Sequence, residues 1–467
     1  MGKGASNMKK TKLTMKEYIA VASMLFGLFF GAGNLIFPVS MGQQAGSRML
    51  PAAIGFCITG VGLPLLGVAA MGISESKSLF HMSSFVSRGF AYFFTCALYL
   101  TIGPLFAIPR TATVSFQVGV APAVPETMKK LMLAAFSFLF FAAVLFFSLR
   151  PSKILTWVGK ILNPVFLLFM AVLIVTAFLN PMGSAFQAEA SGQYAEHSFF
   201  TGFLEGYNTM DALASLAFGI VLIEVIRELG VTDPVRVSAC TVKSGVFSTL
   251  PMALIYFCLT LLGAQSVRKL GISTDGGTAL YQIARHYFGR VGGAFLGVMI
   301  TFACLKTAIG LVTSCSRAFS EMFPKFCSYK IFAVVFSLFS FAVSNVGLSA
   351  IIQFSLPVLM LLYPMTIVLI ALCLMGRLFH YRKCVFLCTM TLTILAAVLD
   401  MLASLPDTVR NILPFGRHLM GFSQVLPLAS LGMGWIIPSL LGFGVGIGII
   451  FFGAKRSVPD TGGSKEN

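Results

Sequence analysis

Long apolar stretches alternate with short polar ones along the whole chain. Runs without a charged residue cover 18–47, 49–74, 89–109, 131–149, 161–188, 244–267, 331–376 and 419–454. A helix that crosses a bilayer needs about 20 mostly apolar residues, so most of these runs are long enough for one. The run 331–376 holds two, divided near Ser344-Asn345-Val346-Gly347. With the less clean segments near 200–226, 289–316 and 384–403, the pattern predicts about twelve spans. They fall at 17–45, 50–73, 89–118, 131–149, 154–179, 200–226, 236–263, 289–316, 330–345, 348–376, 384–403 and 430–453. The expected fold class is therefore an all-α integral membrane protein.

Two spans break the pattern at mid-depth. The first carries Gly31, Gly33 and Asn34 just before Pro38; the sixth carries Glu205, Gly206, Asn208, Thr209 and Asp211. A glycine inside a helix costs about 1 kcal/mol relative to alanine, and irregular backbone at membrane depth survives only where protein or a water-filled cavity surrounds it. Glycines alone more often mark close helix packing, which is the reading for the stripe Gly442, Gly444, Gly446, Gly448. Glycine combined with Asn, Asp and Glu in two spans five apart points instead to interrupted helices around a transport site. An odd offset makes the equivalent helices run in opposite directions, the arithmetic of a five-plus-five inverted repeat.

Composition narrows the class further. Only 10% of the 467 residues are charged and the mean hydropathy is +0.89, against about 25% charged in a soluble domain. The net charge of +17 lies in short clusters between apolar runs rather than along one face, so no nucleic-acid partner is expected. The lipid bilayer accounts for the clusters. With both termini cytoplasmic, 22 Lys and Arg fall on the inner side, nine outside, and two, Arg110 and Lys306, inside spans, as the positive-inside rule requires. The ten Cys form no metal-type pair, and no cleavable signal peptide is expected. His81, His197, His286, His380 and His418 are scattered, and neither H-E-x-x-H nor G-x-S-x-G occurs, so the chain is not expected to be an enzyme. Two interrupted helices also suit a closed, alternating site better than an open channel.

Four motifs in order carry a resemblance over essentially the whole chain: FFGAGNLIFPVSMGQQAG (29–46), GPLFAIPRTATVSFQ (103–117), FLEGYNTMDALASLAFGIV (203–221) and CLKTAIGLVTSCS (304–316). They resemble the branched-chain amino acid:cation symporters (LIVCS family, BrnQ-type carriers). The resemblance implies a LeuT-type five-plus-five inverted repeat with two additional helices. It divides the chain into an N-terminal tail (1–16), a first repeat (17–179), a second repeat (200–376), two added helices (384–453) and a disordered C-terminal tail (454–467). It implies import of Leu, Ile and Val across the cell membrane by a multi-pass symporter, with a coupling ion, Na⁺ or H⁺, and no other cofactor. A related carrier for another small amino acid or amine is the alternative, since fold does not fix substrate.

The implied site follows. Backbone N–H groups of Ala32, Gly33 and Asn34 would meet the substrate carboxylate at the start of a half-helix, and carbonyls around Phe203, Leu204 and Tyr207 would accept from its ammonium. The family's sodium site maps onto the carbonyls of Gly27, Phe30 and Ala303 and hydroxyls at 306 and 307. Thr307 fits and Lys306 does not, which makes Na⁺ doubtful and suggests proton coupling or Na⁺ independence. Lys306 could instead turn toward Asp211 or a water-filled vestibule. Arg110 reads either as a residue snorkelling to the interface or as a gate or charge partner, and Asp211 as functional, because an acid costs about 2.5–3.5 kcal/mol at a helix centre.

Overall fold

The computed structural model describes residues 12–31, 33–150, 153–406, 409 and 426–455; of the tail expected over 454–467, residues 456–467 lie outside these. The described chain is helical, without strands. Thr14 starts α1 (Met15–Phe29) through a capping box: its hydroxyl accepts from the Glu17 N–H, and the Glu17 carboxylate accepts from the Thr14 N–H at 2.8 Å. After an interruption, α2 (Gly33–Ala45) leads into α3 (Met49–Cys57), a wide π turn at Ile58–Gly62, and α4 (Leu63–Ile73). A short α5 (Leu79–Ser84) precedes α6 (Arg88–Leu100) and α7 (Ala107–Gly119), joined by a second π turn, Thr101–Leu105. Gly103 and Pro104 explain that joint, since proline offers no N–H to the ladder. Next come α8 (Lys129–Leu149) and α9 (Lys153–Leu179).

The second half begins with α10 (Tyr194–Glu205), a single 3₁₀ turn at Gly206–Thr209, and α11 (Asp211–Glu228). It continues through α12 (Pro234–Leu270), α13 (Gly276–Met322), α14 (Tyr329–Ser344) and α15 (Leu348–Met375). Two further helices, α16 (Lys383–Ala403) and α17 (Ile436–Lys455), pack on one another and α16 on α15. Gly289, at φ 65 and ψ −160, bends α13 sharply, a conformation open to glycine and closed to residues with a Cβ. The expected spans thus coincide with helices to within a few residues. The exceptions are α5 and the arm of α13 before Gly289, which the span pattern omits.

Seven helical stretches are long and apolar enough to cross a bilayer, and three shorter apolar ones accompany them, among the described residues. Their burial differs by position. α8 turns Leu131, Phe138, Leu139 and Phe146 outward, the sign of a helix facing lipid, whereas α2, α7 and α11 form the buried centre. Small residues let the central backbones touch. A Cβ on Gly42 would collide with the Thr260 carbonyl of α12, one on Gly263 with the Val39 carbonyl of α2, and one on Gly202 with the Ala52 carbonyl of α3. The glycine stripe in α17 is half packing: Gly442 and Gly446 press on α16 backbone, while Gly444 and Gly448 have nothing within 4 Å.

Candidate functional site

Both expected interruptions are present, and they are built differently. In the first, α1 stops at Phe29, and Phe30 turns extended (φ −74, ψ 97). The Gly31 N–H, which in a continuous helix would go to the Gly27 carbonyl, donates instead to Asn34 Oδ1 at 2.8 Å. Asn34 thereby holds the break open and releases the Gly27 carbonyl from its usual partner. Ala32 lies outside the described residues. In the second, the chain tightens into the 3₁₀ turn and reverses at Met210, whose φ of 61 is left-handed. A buried non-glycine residue in that region stores about 1–3 kcal/mol; Met210 is 2% exposed.

Asp211, the first residue of α11, joins the two breaks. Asn34 Nδ2 donates to Asp211 Oδ2 and to the Tyr256 hydroxyl, and Tyr256 donates to the same Asp211 oxygen at 3.1 Å. All three side chains are buried. A carboxylate fed by two donors at a helix N-terminus is stabilised by hydrogen bonds and by the dipole together. No Lys or Arg bridges it among the described residues. The triangle ties α2, α11 and α12 across the break.

Beside it lies a cavity of about 50 Å³ between the interrupted helices, with Gly31, Gly33, Asn34, Arg110, Thr209 and Asp211 on its polar side. Ile102, Ala214, Phe218 and Leu311 form the apolar side, with Thr307 near the first break. This is room for a few waters. Two larger cavities flank it. One of about 410 Å³, on the side where α1 begins, reaches Tyr99, Ala217, Val221 and Ser314. The other, of about 600 Å³ on the far side, reaches Phe37, Glu205 and Asn208. On the near side Phe218 lines the central cavity, and Ala217 and Val221 of the same helix line the vestibule.

Arg110 is not at the interface. It is 4% exposed, its Nη1 donates to the Asn208 carbonyl at 2.7 Å, and its guanidinium lies 5.0 Å from the centre of the Phe37 ring. The π turn before α7 sets it there, and the snorkelling reading is corrected. Asn208 and Phe37 belong to the far vestibule and Arg110 to the central cavity, so these three form the floor of one and the roof of the other.

Other expected residues sit elsewhere. Phe203 and Leu204 lie in the last turn of α10; the Phe203 carbonyl accepts from the Thr59 hydroxyl at 2.8 Å, and Leu204 faces the far vestibule. Tyr207 stacks on Tyr363 with ring centres 4.0 Å apart. Free carbonyls were expected at these three positions; the backbone is irregular a few residues later, at Met210. Thr307 faces the first break, with its Cγ2 3.5 Å from where a Cβ on Gly31 would sit, and its hydroxyl donates to the Ala303 carbonyl at 3.1 Å. Lys306, the next residue on the helix, points about 100° away. It is half-buried and has no ion pair or hydrogen bond among the described residues, to Asp211 included. Tyr256 and Phe37 escaped the sequence reading, because an aromatic in an apolar span carries no signal of its own.

A family model described as branched-chain amino acid transport protein matches residues 14–452. The chain belongs to this family. Relatives include the branched-chain amino acid permease BrnQ of Lactobacillus delbrueckii subsp. lactis, 49% identical over 93% of this chain and 97% of its own. BrnQ of Bacillus subtilis is 40% identical, covering 96% and 99%. The branched-chain amino acid transport system 2 carrier protein of Pseudomonas aeruginosa is 40% identical, covering 92% and 94%. The inward-facing structure of the transporter Mhp1 superposes with a TM-score of 0.59 at 12% identity over 96% of both chains. A closed form of the same nucleobase-cation-symport-1 family transporter gives 0.56 over 94% and 93%. These likenesses show the LeuT-type fold, and the family is one of membrane transport proteins rather than enzymes.

Proposed function

We propose that this protein carries the branched-chain amino acids Leu, Ile and Val across the cell membrane by alternating access, with both termini cytoplasmic. The observation that carries the reading is a small central cavity at two helix interruptions, with a larger vestibule toward either side. The names of the relatives supply the substrate class, and the cavity chemistry fits it. The amide at the start of α2 at Gly33, beside Arg110, suits a carboxylate; Asp211 suits an ammonium; Ile102, Ala214, Phe218 and Leu311 suit an aliphatic side chain. Burying such a side chain contributes about 1.5–3 kcal/mol, enough for recognition of its class.

Coupling is to protons, or absent. Lys306 supports this: the position beside Thr307 where the resemblance expects a second hydroxyl offers an ammonium instead, which donates but cannot ligate a cation. Purified protein in liposomes should exchange labelled for unlabelled leucine; no exchange would refute the carrier. Uptake should follow an imposed pH gradient or neither gradient, and Lys306→Thr should create dependence on Na⁺. Strong Na⁺ dependence of the unmodified protein would refute the coupling reading alone.

A further inference from the structure

The two helices added after the repeats reach into the second interruption. The chain leading into α17 makes a hook, with Leu428 and Gly432 both left-handed (φ 66 and 68) on either side of a short 3₁₀ turn at Ala429–Leu431. Two contacts tie this hook and α17 to α16. Asp400 accepts from the Trp435 backbone N–H, and the hydroxyls of Thr393 and Ser439 pair at 2.8 Å. A third contact reaches α10: a Cβ at position 432 would come within 2.7 Å of Leu204 Cδ1, so a left-handed glycine is what this approach requires.

The hook ends on Trp435, a buried side chain. Its indole meets the hydroxyl of Tyr207, whose ring stacks on Tyr363 of α15. The indole N–H is a donor with one direction, so it holds the Tyr207 ring by its tip while Tyr363 holds it by its face. Tyr207 lies within the 3₁₀ turn, and its carbonyl accepts from the Met210 N–H at 3.0 Å. A ring fixed at Tyr207 is therefore one hydrogen bond away from the left-handed Met210, which leads directly into Asp211. Such a backbone persists only where its surroundings over-determine it. Trp435, from outside the repeats, supplies part of that determination.

We propose that Trp435 is a positioning residue for the transport site: acting through Tyr207, it holds the second interruption in the shape that presents Asp211 to the substrate. The inference rests on the carrier reading and gives the added helices a part in it. Trp435 is not among the residues around the central cavity, so it acts on the substrate through Tyr207 and the turn rather than by contact.

Two measurements on the full-length purified protein test this. The chain has two tryptophans, Trp157 and Trp435, so Trp157→Phe leaves Trp435 as the sole tryptophan emitter. Leucine should change that emission saturably, with a midpoint near the KM for leucine exchange in liposomes, and Tyr207→Phe in the same background should remove most of the change. In exchange assays, Trp435→Phe, which keeps an aromatic ring and loses the donor, should raise the leucine KM about fivefold, the order expected for one neutral hydrogen bond, with the maximal rate per folded protein little changed. Tyr207→Phe should do the same, and the double variant should be no worse than either single one, because both remove one contact. Emission indifferent to leucine in a protein that exchanges it, an unchanged KM in folded Trp435→Phe, or single effects that multiply in the double variant would each overturn the proposal and leave the carrier intact. If Trp435→Phe does not purify folded, the emission of the Trp157→Phe protein decides alone. Absence of leucine exchange in the unmodified protein would remove the carrier reading and this inference with it.

Discussion

The two interruptions do one job by opposite means. The first is made by a side chain: Asn34 takes the Gly31 amide away from the helix ladder, and the glycine only makes the bend easy. The second is made by the backbone of Met210, held left-handed at a position with no glycine. One break is thus hydrogen-bonded into place, and the other is strained into place by its surroundings. The first depends on chemistry that a single atom can remove; the second depends on packing that tolerates substitution but not every shape.

The largest effect should come from Asn34→Ala. It leaves the Gly31 N–H without its acceptor and Asp211 without one donor, at about 1–3 kcal/mol for each buried group left unpaired. Leucine exchange should fall by about two orders of magnitude if these energies act on the transport cycle; exchange above half the unmodified rate would show that Asn34 does not hold the break. Next comes Arg110→Lys. A lysine cannot both donate to Asn208 and lie flat on Phe37, so the layer between cavity and far vestibule should loosen. Faster labelling by a thiol reagent of a cysteine placed at Thr209 would register it, and unchanged labelling would remove Arg110 from that layer.

A smaller effect separates the two breaks directly. Met210→Gly and Met210→Ala lose the same side-chain packing, but only glycine relieves the left-handed backbone, so the glycine variant should be more stable by about 1 kcal/mol. This inverts the usual order of the two residues in helices, and thermal unfolding of the purified variants reads it. The smallest effect belongs to Gly31→Ala. The new Cβ would meet Thr307 at 3.5 Å, an ordinary contact, at a φ that is not positive, so the fold should tolerate it with a loss below about 1 kcal/mol. A large loss there would mean that glycine itself, rather than Asn34, makes the first break.

The same contrast explains what was legible in the sequence. Span positions were, because apolar length is the signal and the bilayer sets it; α8 and α14 coincide with the expected spans within two residues. The first break was legible because glycine and asparagine at mid-depth advertise it. The second was located only to the run Glu205 to Asp211: a methionine carries no left-handed propensity, and of the implied acceptors Phe203 and Leu204 lie before the 3₁₀ turn and Tyr207 within it. Arg110 was visible as a charge in a span, but not its partner, the Asn208 carbonyl, because every residue has a carbonyl.

The glycine contacts of α2 constrain how the molecule can rock. Gly42 lies under the Thr260 carbonyl, Gly263 under that of Val39 and Gly276 under that of Ile36, so main chain rests on main chain at two levels against α12 and at a third against the start of α13. Sliding α2 along α12 would drive carbonyl oxygens into α-carbons within a fraction of a turn. The two helices must therefore swing as one welded strut, and the pliable joints of the machine lie at Phe30, where that strut meets α1, and at Met210, where α10 meets α11.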